Sequence, residues 1–484
     1  MALNKTTEMG GIVIATTLIK NAKKIYTFDE KSRVFDTAYI IVKGNVIKEI
    51  GTGIPPPDNY NEVIDASNYV VIPGLINTHH HFFQNLTRSV PKVQKCNLLE
   101  WLLHLYRIWR YIDEETVYYG SLVSMAELLL TGCTTTLDLG YLYPTGAGDL
   151  LGAEVRAAEE IGMRVHLIRG SMPVMEGHLA EILRNEYGID TDALIEDKDA
   201  ILSQCEQAFQ KYHDPNELSM CQIGVGPTST VYDDANFMRE LKAVADQYDG
   251  IAHVHLHPRP DEIKICKKLH NRTPVEYLND IGWLDNKTII AHATRFTKED
   301  IAIISECNTG ITHSPSCHMR LGYPVAPIPT MLKSGIRVGI GVDGGASNDS
   351  GDMLAELRLT MLVHRIQGIH GNLSPEEWLG PKEVFRLATT GGSSLLGRND
   401  IGCLATGKAA DIAMFDLNQI GYAGGLHDPL GALVYCHDRH PAAYVMVNGE
   451  ILVSEGKLVR IKEKEICHKA NLLATKLVSR LKNE

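Results

Sequence analysis

A chain of 484 residues with 44% hydrophobic and 22% charged residues has the composition of a globular protein, and no run reaches the roughly 18 consecutive apolar residues of a membrane span. We therefore expect no membrane partner. The net charge of −12 at pH 7 argues against nucleic acid as a partner, because phosphate backbones are bound by basic surfaces. The ten cysteines form no CxxC pair and we identify no signal peptide, which together favour a cytoplasmic protein with reduced thiols.

Both ends of the chain are rich in short β-type runs. Residues 12–50 and 402–458 alternate apolar side chains with Gly, Asn and Lys turn signals. We therefore predict a small β-sandwich domain built from both chain ends, residues 1–73 and 401–484. Residues 461–482 read as a charged terminal helix on its outside.

Between these ends, a β-type run followed by a helical pattern recurs along the chain. The helical stretches carry apolar residues at spacings of three and four, as in 98–111, 234–247, 298–306 and 353–368. The alternation predicts an α/β fold, a (β/α)₈ TIM-type barrel over residues 74–400, with its chemistry at the C-terminal ends of the strands. A doubly wound open sheet is the alternative, because the number of strands alone does not exclude it. The eight predicted strands are 70–79, 133–139, 163–169, 220–226, 251–257, 288–292, 310–314 and 336–343.

The first predicted barrel strand ends in three consecutive histidines. Side chains at i and i+2 of a strand share a face, so His79 and His81 can converge on one ion while His80 points away. Two imidazoles leave a divalent ion undersatisfied, so further ligands must come from other strand ends. The candidates at those later strand ends are His255, His292 and Asp343.

Such a set of side chains indicates metal-assisted hydrolysis. Imidazoles with one carboxylate suit zinc or iron, and an open position would hold a water whose pKa the ion lowers from about 15.7 towards about 7. Asp343 is placed both to bind the ion and to orient that water. His253, like His80, we interpret as a structural residue of its strand.

Several motifs resemble those of the amidohydrolase superfamily. Residues 71–81 read VIPGLINTHHH and are similar to its opening metal motif. Residues 341–349 read GVDGGASND and are similar to the strand-eight motif of its cytosine/guanine/triazine deaminase branch. Residues 402–412 and 447–449 resemble its C-terminal β-domain signature. Within the branch the likeness is to 8-oxoguanine deaminases and hydroxy-triazine aminohydrolases, and it lies in residues 79–88, 101–109 and 427–433.

The resemblance implies a hydrolase with one divalent metal ion, zinc in the first place and iron as the alternative. It implies that His79, His81, His255 and Asp343 hold the ion, and that His292 contacts the bound water or the substrate. It also implies a small heterocyclic substrate from purine or triazine metabolism, and a homo-oligomer, either a dimer or a larger assembly.

The chain departs from the branch just after His255. There the family carries a Glu that serves as general acid/base, whereas this chain has Pro258, which has no proton to transfer. A positioned acid/base contributes about 10²–10⁴-fold in rate, so a replacement is needed. His257 alternates with His255 along the strand, and Asp261 or Glu262 can reach in from the proline-containing loop. We favour His257 or Glu262 and leave the choice between them open.

Four further residues are candidates for substrate binding. Gln84 has the spacing at which guanine-type deaminases bind the edge of the heterocycle, with a surface loop as the alternative. Trp101 offers a stacking surface, with a core position as the alternative. Arg169 ends the third strand and could bind an oxygen of the ligand, with a structural salt bridge as the alternative. His318 stands where the related pattern usually has Asn.

These residues predict hydrolytic deamination of an oxidised purine, a pterin or a hydroxy-triazine. One alternative is hydrolysis without ammonia release, either ring opening of a cyclic amide or displacement of a chloro or thio substituent. Another is a metal-dependent binding protein that has lost its acid/base residue. The complete set of candidate ligands argues against a mere binder.

Overall fold

The computed structural model describes residues 15–228, 230–256, 261–366, 373–436 and 441–482. These residues form a barrel surrounded by helices and a sheet made from both chain ends. Each helix in these ranges is too short or too polar to span a bilayer.

Strands from the two chain ends share one nine-stranded sheet. They are β1 (Thr16–Tyr26), β2 (Val34–Lys43), β3 (Val46–Thr52), β4 (Glu62–Asp65), β5 (Tyr69–Pro73), β16 (Ile412–Asp416), β17 (Tyr444–Val447), β18 (Glu450–Ser454) and β19 (Lys457–Leu458). The order is β19-β18-β17-β16-β5-β1-β2-β3, with β4 on β1; only the pairs of β1 with β4 and β5 are parallel. The sheet curls around an apolar cluster that includes Ile40 and Met446, so that Val46 bridges to Ala409.

The remaining long strands close into a parallel barrel. They are β6 (Leu75–Asn77), β8 (Cys133–Gly140), β9 (Arg164–Ser171), β10 (Cys221–Pro227), β11 (Ile251–Leu256), β12 (Thr288–His292), β13 (Gly310–His313) and β14 (Val338–Ile340). The ring closes where Ile340 of β14 pairs with Asn77 of β6. A closed ring of eight parallel strands confirms the predicted barrel and excludes the open sheet. The domain limits at 73/74 and 400/401 stay a prediction.

The first predicted barrel strand is wrong in extent, because Gly74 divides it. Residues up to Pro73 belong to β5 of the chain-end sheet, and the barrel strand begins only at Leu75. The Gly74 N–H donates to Asp411 O at 3.0 Å, and a Cβ here would overlap the side chain of Thr134. Glycine thus permits the close approach at which the chain changes sheets.

The last predicted strand is also divided. After β14 the chain leaves the barrel and forms β15 (Asp343–Gly344), which pairs only with β7 (His80–His81). This two-stranded ladder lies above the barrel and brings Asp343 opposite the histidine motif.

Helices follow most barrel strands. They are α1 (Leu98–Trp109), α2 (Glu114–Leu130), α3 (Leu150–Ile161), α4 (Gly177–Asn185), α5 (Lys198–Tyr212), α6 (Ala235–Gln247), α7 (Glu262–His270), α8 (Pro274–Asp280), α9 (Lys298–Glu306), α10 (Pro315–Arg320), α11 (Ile328–Lys333), α12 (Met353–Val363), α13 (Pro381–Arg386), α14 (Gly392–Leu395), α15 (Pro429–Tyr435) and α16 (Glu463–Ser479). Helix α9 has the predicted bounds, and Asp234 caps α6 by accepting from Phe237 N–H at 3.0 Å. Helix α12 ends before the predicted residue 368, which lies outside the described ranges.

A buried charge network joins the base of the barrel to the chain-end sheet. Arg164, at the start of β9, donates from Nε to Ser219 O at 3.0 Å and pairs with Asp411, just before β16. Asp411 in turn accepts the Asn448 N–H at 2.7 Å. The network ties the barrel to both β16 and the turn after β17.

Candidate metal centre and active site

The histidine motif and Asp343 meet at the C-terminal mouth of the barrel. His79 and His81 follow the end of β6, while His255 lies on β11, His292 ends β12 and Asp343 begins β15. These positions are the strand ends at which barrels of this type carry their chemistry. The structure therefore brings together five side chains from four separate segments of the chain, namely His79, His81, His255, His292 and Asp343.

The nitrogen and oxygen atoms of this cluster surround one point. Asp343 Oδ1 lies 3.3 Å from His79 Nε2 and 3.3 Å from His81 Nε2, and His255 Nε2 lies 3.1 Å from His81 Nε2. His79 Nε2 is buried and makes no hydrogen bond among the described residues. One ligand atom each from His79, His255 and His292 also lie within 4.8 Å of one another. A buried nitrogen without a hydrogen-bond partner, surrounded by other possible ligand atoms, fits a site for a divalent cation.

Hydrogen bonds on the far side of two rings set their orientation. His81 Nδ1 lies 2.8 Å from Leu139 O, so this nitrogen carries the proton and its Nε2 lone pair faces the cluster. His79 Nδ1 lies 2.8 Å from His253 Nε2, which leaves His79 Nε2 facing the cluster as well. His253 therefore contacts a candidate ligand from behind instead of facing the central point.

The protonation states also suit a cation. Burial, reinforced by His79, lowers the pKa of His81 to about 3, and burial lowers the pKa of His292 to about 4. Burial alone would raise the pKa of Asp343, but its contacts with His79, then His81 and His292, hold that pKa well below its ordinary value. At neutral pH His81 and His292 thus offer neutral imidazole lone pairs, and Asp343 offers a carboxylate.

Two members of the cluster have left-handed backbone conformations. The φ angle is +79° at His292 and +63° at Asp343, a region that costs non-glycine residues about 1–3 kcal/mol. Two hydrogen bonds fix the backbone at Asp343 in this conformation. The Asp343 N–H donates to His79 O at 3.0 Å, and the preceding Val342 N–H donates to Asn77 Oδ1 at 2.9 Å. Backbone strain fixed in this way is typical of functional sites.

His80 and Asp138 support the motif from outside the cluster. His80 Nδ1 accepts the N–H of His81 at 2.7 Å, and Asp138 accepts the N–H of Phe82 at 2.6 Å. Burial raises the pKa of both Asp138 and its neighbour Glu154 well above the ordinary value. The sequence interpretation missed Asp138, although a carboxylate near the C-terminal end of a barrel strand was a usable signal.

A cavity of about 1010 Å³, including its open mouth, lies over Asp343. Of the predicted substrate residues, Gln84 and Trp101 line it, and so does Glu262. Gln84 Nε2 donates to Tyr141 OH at 3.1 Å, whereas its buried Oε1 has no hydrogen-bond partner among the described residues. His257 and Pro258 lie outside the described ranges.

Arg169 and His318 do not line this cavity. The Arg169 guanidinium pairs with Glu196, donates to Gln204 Oε1 at 2.6 Å and lies 3.7 Å from the centre of the Tyr143 ring. The structural salt bridge, rather than contact with the cavity, is therefore its observed arrangement. The fully buried His318 places Nε2 3.2 Å from His292 Nδ1, so it contacts a cluster residue from behind.

Comparisons with known proteins agree with this geometry. The model of the Amidohydrolase family matches residues 70–452. The chain is 36% identical over 446 residues to an 8-oxoguanine deaminase of Pseudomonas aeruginosa, a match that covers 92% of this chain and 95% of the relative. It is 31% identical over 471 residues to a hydroxydechloroatrazine ethylaminohydrolase of Pseudomonas sp. strain ADP, which covers 95% of each chain.

A crystal structure of atrazine chlorohydrolase TrzN from Arthrobacter aurescens TC1, complexed with zinc, is similar over 96% of this chain and 100% of that one, with a TM-score of 0.86 and 29% identity. These matches confirm the predicted superfamily and its metal-dependent hydrolase class, and they support a divalent metal ion at the cluster. A closed barrel with imidazole and carboxylate donors at its mouth is the architecture expected of such enzymes, and the chain belongs to the amidohydrolase family.

Proposed function

We propose that the protein is a zinc-dependent hydrolytic deaminase of a small aromatic N-heterocycle, such as an oxidised purine, a pterin or a hydroxy-triazine. The observation that carries this proposal is that Gln84, whose buried Oε1 has no hydrogen-bond partner among the described residues, lines the same cavity as the histidine and aspartate cluster. The relatives named as deaminases of 8-oxoguanine and of isoxanthopterin support the substrate class.

In this proposal His79, His81, His255 and Asp343 are the metal ligands. Their neutral nitrogens and single carboxylate fit zinc, and the zinc complex of the chlorohydrolase that shares this fold supports that choice. When bound, the ion would act as a Lewis acid and lower the pKa of a coordinated water. The ionised Asp343 accepts a proton from the attacking water.

Gln84 recognises the edge of the ring. Gln84 lines the cavity, and its Oε1 is a buried acceptor without a hydrogen-bond partner among the described residues. In this proposal a ring N–H satisfies it. The amide is held in place by Tyr141 OH on one side and by Gly344 on the other, where a Cβ would overlap the Gln84 side chain. An unpaired buried acceptor costs about 1–3 kcal/mol, which favours substrates that supply a donor at this point.

The reaction then needs two proton transfers. The water oxygen bonds to the amidine carbon, the exocyclic carbon–nitrogen bond breaks, and the nitrogen leaves as ammonia or an amine after gaining a proton. Glu262 lies in the first turn of α7 and lines the cavity, and in this proposal it carries that proton to the ring or leaving nitrogen. His292 also lines the cavity, and in this proposal it contacts the water or the ring. His257 is the alternative proton carrier.

Pro258 at the usual acid/base position favours a second candidate, displacement of a chloro or thio substituent or ring opening without release of ammonia. The structural neighbour named as a chlorohydrolase supports it. Product mass spectrometry separates the two reactions, because gain of water without loss of ammonia or amine indicates the second.

The test is a turnover panel with the purified, zinc-loaded enzyme. Aminopurines, their 8-oxo forms, aminopterins and amino-hydroxytriazines are incubated with the enzyme, and ammonia and amine release are measured. We expect release from at least one class, its loss on chelation and its return with added zinc. No release from any class would overturn the proposal.

A further inference from the structure

The cavity above the cluster has two chemically different parts. The part next to Asp343 carries the polar groups, including Gln84 and His292. Helix α1 and the segment leading into α4 supply a lining that is mainly carbon and sulfur. We call this the outer wall, and its side chains are Leu98, Leu102, Tyr106, Met172, Met175 and Leu179.

Helix α1 presents one continuous apolar stripe to the cavity. Leu98, Leu102 and Tyr106 are spaced four residues apart, so they lie on one face of the helix. Leu98 and Leu102 are only partly buried in the protein, although both carry large aliphatic side chains. Trp101 adds its ring to the same lining.

The polar atoms of this wall are already engaged within the protein. Trp101 Nε1 donates to Ala346 O at 3.0 Å, and the Tyr106 hydroxyl contacts Met172 Sδ at 3.8 Å. Burial raises the pKa of Tyr106, so its hydroxyl is neutral over the working range of an enzyme. A ligand that reached this wall would therefore meet apolar surface and few unsatisfied hydrogen-bonding groups.

The opposite side of the outer wall is mainly apolar, with Glu176 as its acidic residue. Met175 lies just before α4 and Leu179 lies in its first turn, and both are buried. Val174 also lines the cavity, and 38% of its surface is exposed to solvent. Methionine side chains adapt to ligands of differing shape.

The lining of the cavity extends from the cluster to α1 and α4. A ring bound by Gln84 beside the cluster would occupy only the inner part. Resting on the proposed function, we infer that the substrate carries an apolar substituent, alkyl, aryl or thioether, that lies along the outer wall.

The experiment compares ring substrates that differ only in the substituent. Two series are assayed with zinc-loaded enzyme, one with n-alkyl groups from hydrogen to butyl on the departing nitrogen and one with the same groups on the ring. We expect kcat/KM to rise by about two- to fourfold per methylene in at least one series, the factor for burial of a CH₂ group. The product, an amine or ammonia, identifies where the substituent is carried.

Leu98→Gln provides the matched test of position. This partly buried residue can be made polar without opening a core cavity, and the change should abolish the dependence on chain length. Leu99→Gln is the control, because Leu99 is also partly buried on α1 but does not line the cavity. It should leave the dependence as in the wild type.

Different outcomes separate the two proposals. Failure to hydrolyse any ring substrate, with or without a substituent, would overturn the proposed function. Hydrolysis of the unsubstituted ring at a rate equal to or above that of the longer homologues would overturn the outer-wall inference while the proposed function stands. An unchanged length dependence in Leu98→Gln would also overturn it.

Discussion

Two buried sites at opposite ends of the barrel differ in how their polar atoms are satisfied. At the base, Arg164 has a partner at each side-chain nitrogen: Nε donates to Ser219 O, one terminal nitrogen pairs with Asp411, and the other lies 3.4 Å from Asn448 Oδ1. At the mouth, the equally buried His79 Nε2 and Gln84 Oε1 have no hydrogen-bond partner among the described residues.

The division lies in the side chains and not in the backbone, because Asn448 at the base has a left-handed φ of +48°, and His292 and Asp343 at the mouth are left-handed as well. Satisfied polar groups stabilise the fold, and unsatisfied groups are held ready for a ligand. The base should therefore control stability, and the mouth should control activity.

Asp343→Asn is expected to separate activity from stability most strongly. Because the amide neither carries a charge nor accepts a proton from water, kcat/KM should fall by about 10²–10⁴-fold while the melting temperature changes little. Activity, zinc content and thermal melting are measured together. Asp349→Asn is the control, since Asp349 has a similar φ of +66° on the same loop but lies outside the cluster. Near wild-type activity in Asp343→Asn would refute its assigned role.

At the base the effects should reverse. Arg164→Met leaves Asp411 buried without its cation and should destabilise the protein by about 3–5 kcal/mol. The kcat/KM per folded molecule, measured below the melting transition, should not change. Arg460→Met removes an ion pair with Glu450 at the surface and should cost less than about 1 kcal/mol. Equal losses of stability in both variants would contradict the division between the two ends.

Glu262→Gln tests how protons move at the mouth. If Glu262 carries the proton, kcat should fall by about 10²-fold with little change in KM, and the corresponding limb of the pH–rate profile should disappear. His257→Asn is measured in parallel. A loss confined to the His257 variant would assign the proton transfer to that residue instead.

The smallest effect concerns acid stability at the base. Burial would raise the pKa of Asp400, but hydrogen bonds and charge interaction with Arg398 outweigh it and lower this pKa to about 2. Because the folded pKa lies below the unfolded value of about 3.9, Asp400 stabilises the protein above pH ~4 and loses this contribution as the pH falls towards 2. Asp400→Asn should remove about 1–2 kcal/mol at pH 7 and flatten the decline in melting temperature below pH ~4. A decline as steep as in the wild type would show that other carboxylates dominate.

The mouth was more predictable from sequence than the base. His79 and His81 follow a two-residue period that only a shared face explains, and strand ends of a barrel converge, so their meeting with His255, His292 and Asp343 could be foreseen. Arg169 could not be assigned, because its partners Glu196 and Gln204 lie 27 and 35 residues away on elements whose placement no local pattern specifies.

The chain-end sheet shows a second limit of sequence patterns. Residues 70–76 form one apolar run, and nothing in its periodicity reveals that the chain passes from the sheet to the barrel at Gly74. The overlap of a Cβ with Thr134 that requires glycine exists only after folding. Likewise, the Asp343–Gly344 strand arises because the histidine motif offers it a partner, which a pattern within residues 336–343 does not contain.

The Arg164 network has a consequence for how the protein can be dissected. Asp411 and Asn448 come from the C-terminal part of the chain, yet Asp411 neutralises the Arg164 guanidinium at the base of the barrel and Asn448 accepts a hydrogen bond from it. A fragment ending near residue 400 would retain every candidate metal ligand, but the Arg164 guanidinium would lose its carboxylate partner Asp411. The barrel is thus no self-sufficient module: libraries for new substrates should vary the rim and keep both termini.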